Sequence, residues 1–173
     1  MKPLYYLPIL LFAGLAAALA IGLNLKPGEI PSARVGHAAP EFSLPELFGE
    51  GAYSTADLQD GRIKLLNVFA SWCEPCRAEN ALFLALQAQG VIIHALDYKD
   101  DPKEAGLFLK GLGNPFERIG VDADGRTGID FGISGVPETF VIDGEGIILY
   151  QHIGPLSEED VALRILPLLR GRR

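Results

Sequence analysis

The stretch that most constrains this chain is residues 67–80, NVFASWCEPCRAEN, because it demands a strand, a turn and a helix in immediate succession. Ile63 to Ala70 is β-rich and almost continuously apolar, the pattern of a central strand buried on both faces, with Asn67 as its one polar interior residue. From Cys76 to Gln89 the residues Ala78, Ala81, Leu82, Ala85 and Leu86 recur at helical spacing, and Gly90 ends that helix. Val91 to Leu96 follows as a second buried strand. A strand–helix–strand order implies two parallel neighbours joined by a right-handed crossover, so the class is α/β.

Cys73 and Cys76 are the only cysteines among the 173 residues, so any sulfur chemistry rests on this pair. Three-residue spacing across a strand-to-helix turn suits a reversible disulfide. The unpaired N–H groups and dipole of the helix N-terminus favour a thiolate on the first sulfur, and the second lies within reach to resolve a mixed disulfide. Other chemistries fit less well. Zinc needs two further ligands, and His37, His94 and His152 lack finger-like spacing from the pair. Two thiolates with a remote histidine would suit Cu(I), but Pro75 and the short spacing favour a tight redox turn. A purely structural bridge over so short a loop would constrain little of the unfolded chain.

The length supports one compact domain of about 130–140 residues plus an N-terminal segment. A net charge of −7 argues against a nucleic-acid surface. Pro3 to Leu25 carries no charge, and as a helix it would span roughly 34 Å against a bilayer core of about 30 Å. It reads as a transmembrane helix, with Lys2, Tyr5 and Tyr6 at the cytoplasmic side. Ala18-Leu19-Ala20 offers the rival reading of a cleaved export signal, but the apolar run continues beyond it, which favours an uncleaved anchor. Lys26 to Arg34, rich in Pro and Gly, reads as a linker. The expected organisation is a membrane anchor over 1–25, a linker over 26–35 and an exported domain over 36–173. There a lone Cys-x-x-Cys must be kept reduced by a dedicated donor or work as an oxidant.

Along the domain, Gly36 to Pro45 suits an edge lead-in, and Tyr53 to Thr55 a short strand. His94 reads as a packed or partly exposed strand residue and not a ligand. Tyr98 to Pro102 is a charged turn, and Pro102 starts a helix that reaches about Leu112. Arg118 to Val121 is a short strand, followed by a turn over 122–126 that has the beginning of a calcium loop without its later acidic ligands. Gly132 to Asp143 leads from a loop into a strand, with Pro137 at its start, a position where a cis bond can shape a turn. Glu145-Gly146 then predicts a β-hairpin, and the stretch from Ser157 a last helix loosened at Pro167.

Trp-Cys-x-x-Cys after a buried strand, then Val136-Pro137 before a hairpin and last helix, resembles the thioredoxin fold across roughly Gly36 to Leu169. More narrowly, the runs Leu66 to Cys73, Arg77-Ala78-Glu79, Tyr98-Lys99-Asp100-Asp101, Leu112 to Pro115 and Gly135 to Phe140 look like the DsbE/CcmG family. Those are membrane-anchored periplasmic thiol:disulfide reductases of cytochrome c maturation. The resemblance implies a thioredoxin-like fold, a mixed central sheet flanked by helices, after one transmembrane helix. It implies Cys73 as nucleophile, Cys76 as resolving thiol, a Cys73–Cys76 disulfide and Pro137 as the cis proline beside them. Glu79 and Glu138 would be acidic groups near the disulfide, and Trp72, Val136 and Glu138 would meet the bound partner. Asn67 stands where ordinary thioredoxins carry a buried aspartate, so Glu79 becomes the candidate proton carrier. Glu74 departs from the family's Pro-Thr dipeptide and, if close to Cys73, would tune its potential. No cofactor or metal is implied. The implied partners are an apocytochrome c or its maturation carrier, and an integral-membrane thiol transporter that resupplies electrons. The implied location is the bacterial inner membrane with a periplasmic domain. The alternatives are a broader exported thioredoxin-like reductase and a copper metallochaperone.

Overall fold

The structure is a computed structural model that describes residues 7–24 and 34–171. The chain divides into two units, Met1–Pro31 and Ser32–Arg173. In the first unit, α1 covers Leu7–Asn24, 18 residues. Among the described residues no helix is long and apolar enough to cross a membrane. The expected transmembrane helix over 1–25 is therefore found only as a helical segment, and both ends of the uncharged run lie outside the described residues.

The second unit is built on a five-stranded sheet of order β5-β4-β3-β6-β7, whose strands are β3 (Lys64–Phe69), β4 (Ile93–Tyr98), β5 (Arg118–Asp122), β6 (Glu138–Ile142) and β7 (Ile148–Ile153). β4 runs parallel to β3 and to β5, whereas β6 and β7 are antiparallel, so the sheet is mixed. All six residues of β3 are buried, as its apolar run predicts. Period-two alternation then divides the core. Leu65 and Phe69 face a cluster under α2 (Glu74–Ala88) and α3 (Pro102–Leu112), where Phe69 stacks on Phe116 with ring centroids 5.2 Å apart. Leu66 and Val68 face a second cluster with Leu96, Phe131 and Phe140.

That second face is closed by the chain before β3. Gly36 N–H donates to Ile148 O at 2.8 Å and Ile148 N–H to His37 O at 2.9 Å, which lays the segment along the start of β7. The chain continues through β1 (Ser43–Pro45) and β2 (Ala52–Ser54), an antiparallel pair, and Leu47 N–H reaches Ile119 O at 2.9 Å on β5. One strap thus runs from one edge of the sheet to the other. Its Tyr53 is wholly buried and meets His94 Nδ1 at 3.0 Å, so of the two placements open to His94, packed or partly exposed, the strand residue is packed.

Local chemistry sets the element ends. Asp101 caps α3 by accepting from Lys103 N–H at 2.9 Å, ahead of Pro102. The turn over 122–126 leads into a short helix that the sequence reading missed, α4 (Arg126–Phe131). The Asp122 carboxylate accepts from Thr127 N–H at 3.2 Å and Gly128 N–H at 2.8 Å, so it acts as a helix cap in place of the calcium ligand its spacing suggested. At the C-terminus α5 (Glu158–Asp160) passes through a π-turn over Val161–Ile165 into α6 (Leu166–Arg170). Leu166 N–H donates to Val161 O, a five-residue step, directly before Pro167, which has no N–H to continue the ladder.

Candidate active site

β3 delivers the chain to Ala70 at the end of the sheet, and the next residues turn into α2 with Cys73 as its N-cap and Pro75 in the first turn. Proline suits that turn because the first N–H groups of a helix have no intrahelical acceptor. Cys73 and Cys76 form a disulfide with S–S 2.07 Å and Cα atoms 5.3 Å apart. Cys76 N–H donates to Cys73 Sγ at 3.2 Å, so the first sulfur sits on the open end of a helix. That position favours a thiolate when the bridge opens. Both cysteines are 3% exposed, whereas the neighbouring Trp72 is 59% exposed.

The turn between β4 and α3 holds this segment from the side. Trp72 Nε1–H donates to Lys99 O at 3.1 Å, and Ser71 Oγ–H donates to Asp100 Oδ1 at 2.9 Å, while Ser71 N–H donates to the other oxygen of the same carboxylate. A cleft of about 560 Å³ opens beside Trp72 between Arg77, Asp100, Glu104 and Leu107. On the opposite flank, the Val136–Pro137 peptide is cis. Glu138 opens β6 opposite Val68, which sets Pro137 beside the end of β3 from which the Cys segment departs. Val136 packs against the cluster that contains both cysteines.

Glu79, one turn beyond Cys76, is 4% exposed. Its Oε1 accepts from Asn67 Nδ2–H at 3.3 Å and its Oε2 from Leu156 N–H at 3.0 Å. Burial pushes its carboxyl up to about 7, against the lowering effect of those two donors. It also lines a cleft of about 400 Å³ with Leu82, Pro155 and Leu156. Asn67, in the buried strand, links Glu79 to Thr139 Oγ1 at 3.1 Å, so β3, α2 and β6 meet at one amide.

Glu138 is wholly buried and faces the loop before the cis peptide. Its Oε1 accepts from Ser134 N–H and Oγ–H, both at 2.7 Å, and from Gly135 N–H at 3.2 Å, while Oε2 accepts from Gln151 Nε2–H. It therefore holds the loop that presents Val136. Glu74 is placed differently from the expectation: its side chain is 88% exposed and lies 3.6 Å from Arg77 Nε. An exposed carboxylate with a cation of its own is screened from a neighbouring sulfur.

Sequence reasoning missed Ser71, Asp97, Asp100, Ser134 and Gln151. Asp97 had a signal, a lone acid inside the apolar run from Val91. Ser71, Asp100 and Gln151 act through contacts remote in sequence, and Ser134 through Glu138 four residues on. Among the described residues no group of three or more His, Cys, Asp or Glu side chains is placed to hold a metal ion.

A Redoxin family model matches residues 34–166. The thiol:disulfide interchange protein HelX of Rhodobacter capsulatus is 43% identical over 171 residues, covering 98% of this chain and 97% of that protein. The thiol:disulfide interchange protein DsbE of Escherichia coli K12 is 42% identical over 168 residues, covering 94% and 91% respectively. A solved structure described as a DsbE thiol:disulfide interchange protein from Chlorobium tepidum aligns with a TM-score of 0.67 at 30% identity, covering 78% of this chain and 95% of that one.

Proposed function

The chain belongs to the redoxin family and, within it, to the DsbE/HelX thiol:disulfide interchange proteins, and from that premise we propose that it is an exported, membrane-anchored reductase of apocytochrome c or of a carrier that holds it. The observation that carries the redox reading is the Cys73–Cys76 bridge at the N-terminus of α2, with a backbone N–H on Cys73 Sγ.

In the reduced protein the Cys73 thiolate attacks one sulfur of a substrate disulfide, forming a mixed disulfide and expelling the other substrate sulfur as a thiolate. Cys76 then attacks Cys73 Sγ, which closes the bridge and releases the second substrate sulfur. Two electrons pass to the substrate, whose two thiolates take up protons. Cys76 must lose its own proton for that step. Glu79 is the group suited to receive it: it lies on the same helical face at i+3, and a carboxyl near 7 exchanges protons readily at neutral pH. Trp72 and Val136 offer an apolar surface beside Cys73, whereas Glu138, expected to meet the partner, is wholly buried and instead holds the loop that presents Val136. The substrate that fits the family is the oxidised haem-binding Cys-x-x-Cys-His segment, which must be a dithiol before haem attaches. An integral-membrane thiol transporter would return electrons to the bridge.

Anchoring rests on the uncharged run from Pro3 to Leu25. The 18 residues of α1 correspond to about 27 Å against a bilayer core of about 30 Å. Resistance to alkaline carbonate extraction is the expected result, and a soluble form beginning near Ile21 would remove the anchor from this reading.

Trapping tests the function. Cys76→Ser should accumulate mixed disulfides with oxidised cytochrome c segments that disappear on reduction, and Cys73→Ser should trap none. Equal trapping by both variants, or trapping by neither, would refute the assigned roles.

A further inference from the structure

Asp97 is a wholly buried carboxyl to which the proposed reaction assigns nothing. It is the fifth residue of β4, and strand alternation sets it on the α2–α3 face with Ile93 and Ala95. Its lateral neighbours are Phe69 on β3 and Val121 on β5. Neither of its carboxyl oxygens receives a hydrogen bond, and the side chain that reaches it is the Asp100 carboxylate, to which only a protonated Asp97 can donate. A carboxylate in such a place lacks both water and a cation, so the neutral acid is favoured. The charged groups that bear on it are themselves acids: Asp100 and Asp101 from the turn into α3, and Asp122 from the end of β5. Burial first, and then the Asp100 charge, push the Asp97 carboxyl up to about 8.

Asp100 is the clamp described above, the carboxylate that receives both Ser71 N–H and Ser71 Oγ–H. It also accepts from Asp101 N–H at 2.8 Å. The residue before it, Lys99, has φ 49°, a left-handed conformation uncommon for a side chain of this kind, and its carbonyl receives the Trp72 indole. The turn is therefore bent to bring Lys99 O and the Asp100 carboxylate onto two consecutive residues, Ser71 and Trp72, directly before Cys73. An acid buried against that turn acts on the clamp through charge. While Asp97 holds its proton, Asp100 is the single anion facing Ser71. When Asp97 loses it, two carboxylates oppose each other.

We propose that Asp97 is a positioning residue whose proton keeps the Asp100 clamp closed on Ser71 and Trp72, so that the presentation of Trp72 and Cys73 to a partner protein depends on the protonation of a buried acid in β4. The functional part of this inference rests on the reading of Cys73 as the reactive sulfur; the clamp itself does not.

Trp72 is the only tryptophan of the chain, so its fluorescence reports this segment directly. The oxidised full-length protein is used, because the disulfide removes the cysteine titrations. Trp72 emission should show a one-proton transition near pH 8, and Asp97→Asn should abolish it while leaving the emission at the wild-type low-pH value. In the reduced protein, the ratio of the Asp97→Asn rate to the wild-type rate with a peptide disulfide should stay near one below the transition. Above it the ratio should rise, by up to about tenfold if one charge-assisted hydrogen bond is lost. Carbonyl-carbon NMR of wild-type Asp97 gives the titration without any variant, should Asp97→Asn fail to fold. An Asp97 that titrates as an ordinary surface aspartate, or a transition that survives in Asp97→Asn, would overturn the proposal. A merely structural Asp97 would shift stability and leave the Trp72 pH profile in place. Failure of the fluorescence test leaves the Cys73 assignment intact, and failure of Cys76→Ser trapping leaves the clamp intact.

Discussion

Replacing Glu79 by glutamine removes the titration of the buried acid one turn beyond Cys76 while keeping its shape. The difference between an ordinary 4.5 and about 7 corresponds to about 3.4 kcal/mol. The sign follows from proton binding. Between those two values the native protein holds a proton that the unfolded chain has released, so stability falls as pH rises through this window. The full cost is present above pH 7. Glutamine removes the cost but brings its own. Asn67 and Leu156 donate to separate oxygens of Glu79, and an amide can accept from only one of them. The unmatched donor pair should cost about 1–3 kcal/mol at every pH. Glu79→Gln should therefore be less stable than wild type at pH 4.5, and should gain on it by about 3 kcal/mol by pH 8, where the two come close to parity or cross. Urea denaturation of the oxidised proteins across this range measures the gain without interference from free thiols. Parallel stability curves would show that Glu79 titrates as an ordinary surface acid. A variant that loses ground as pH rises would show that Asn67 and Leu156 stabilise the carboxylate by more than burial opposes it.

Burial lowers His94 to about 4 from 6.5, so it is neutral in the fold, and its contribution, up to about 3.4 kcal/mol, is present above pH 6.5 and lost as pH falls toward 4. His94→Gln should flatten this acid limb in denaturation measured at pH 5 and pH 7. Glu138→Ala strips the acceptor from Ser134 and Gly135, and hydrogen exchange should speed up at those two amides while β3 amides stay protected. Glu74→Gln should move the Cys73–Cys76 potential by less than about 10 mV in a glutathione equilibrium, because its exposed charge already faces Arg77. A shift near 30 mV would show that the carboxylate acts on Cys73 after all.

The parts of the fold that could be read in sequence are those whose residues answer to one local demand. Ile63 to Ala70 has little choice but a buried strand, and Pro102 marks the start of α3, whereas α2 begins at Glu74, two residues before the Cys76 start that helical spacing gave. Glu79 could not be placed from spacing, since a glutamate on an amphipathic helix normally faces water. Its burial depends on Leu156, which lies 77 residues further along the chain. Asp100 likewise reads as one more acid in a charged turn, and only the return of β4 beside β3 brings it to Ser71. α4 escaped notice because it is six residues long, too short for a periodic signal, and is set by Gly125 in a left-handed conformation and the Asp122 cap.

The strap before β3 joins both margins of the sheet. Any sheet that ends in strands with free N–H and C=O groups can recruit a strand from another molecule. Here the residues around Gly36 occupy such groups at the start of β7, and those around Leu47 do so on β5. Arg118 on β5 secures the second attachment through Glu46, with Nε–H to Oε1 at 2.7 Å and a further N–H to Oε2 at 2.9 Å. The first two dozen residues of the domain therefore do more than lead in from the N-terminal unit. A version of the protein trimmed to begin at β3 would keep every residue of the redox site and still present two unsatisfied sheet margins and a bare apolar face, a molecule suited to polymerise with copies of itself.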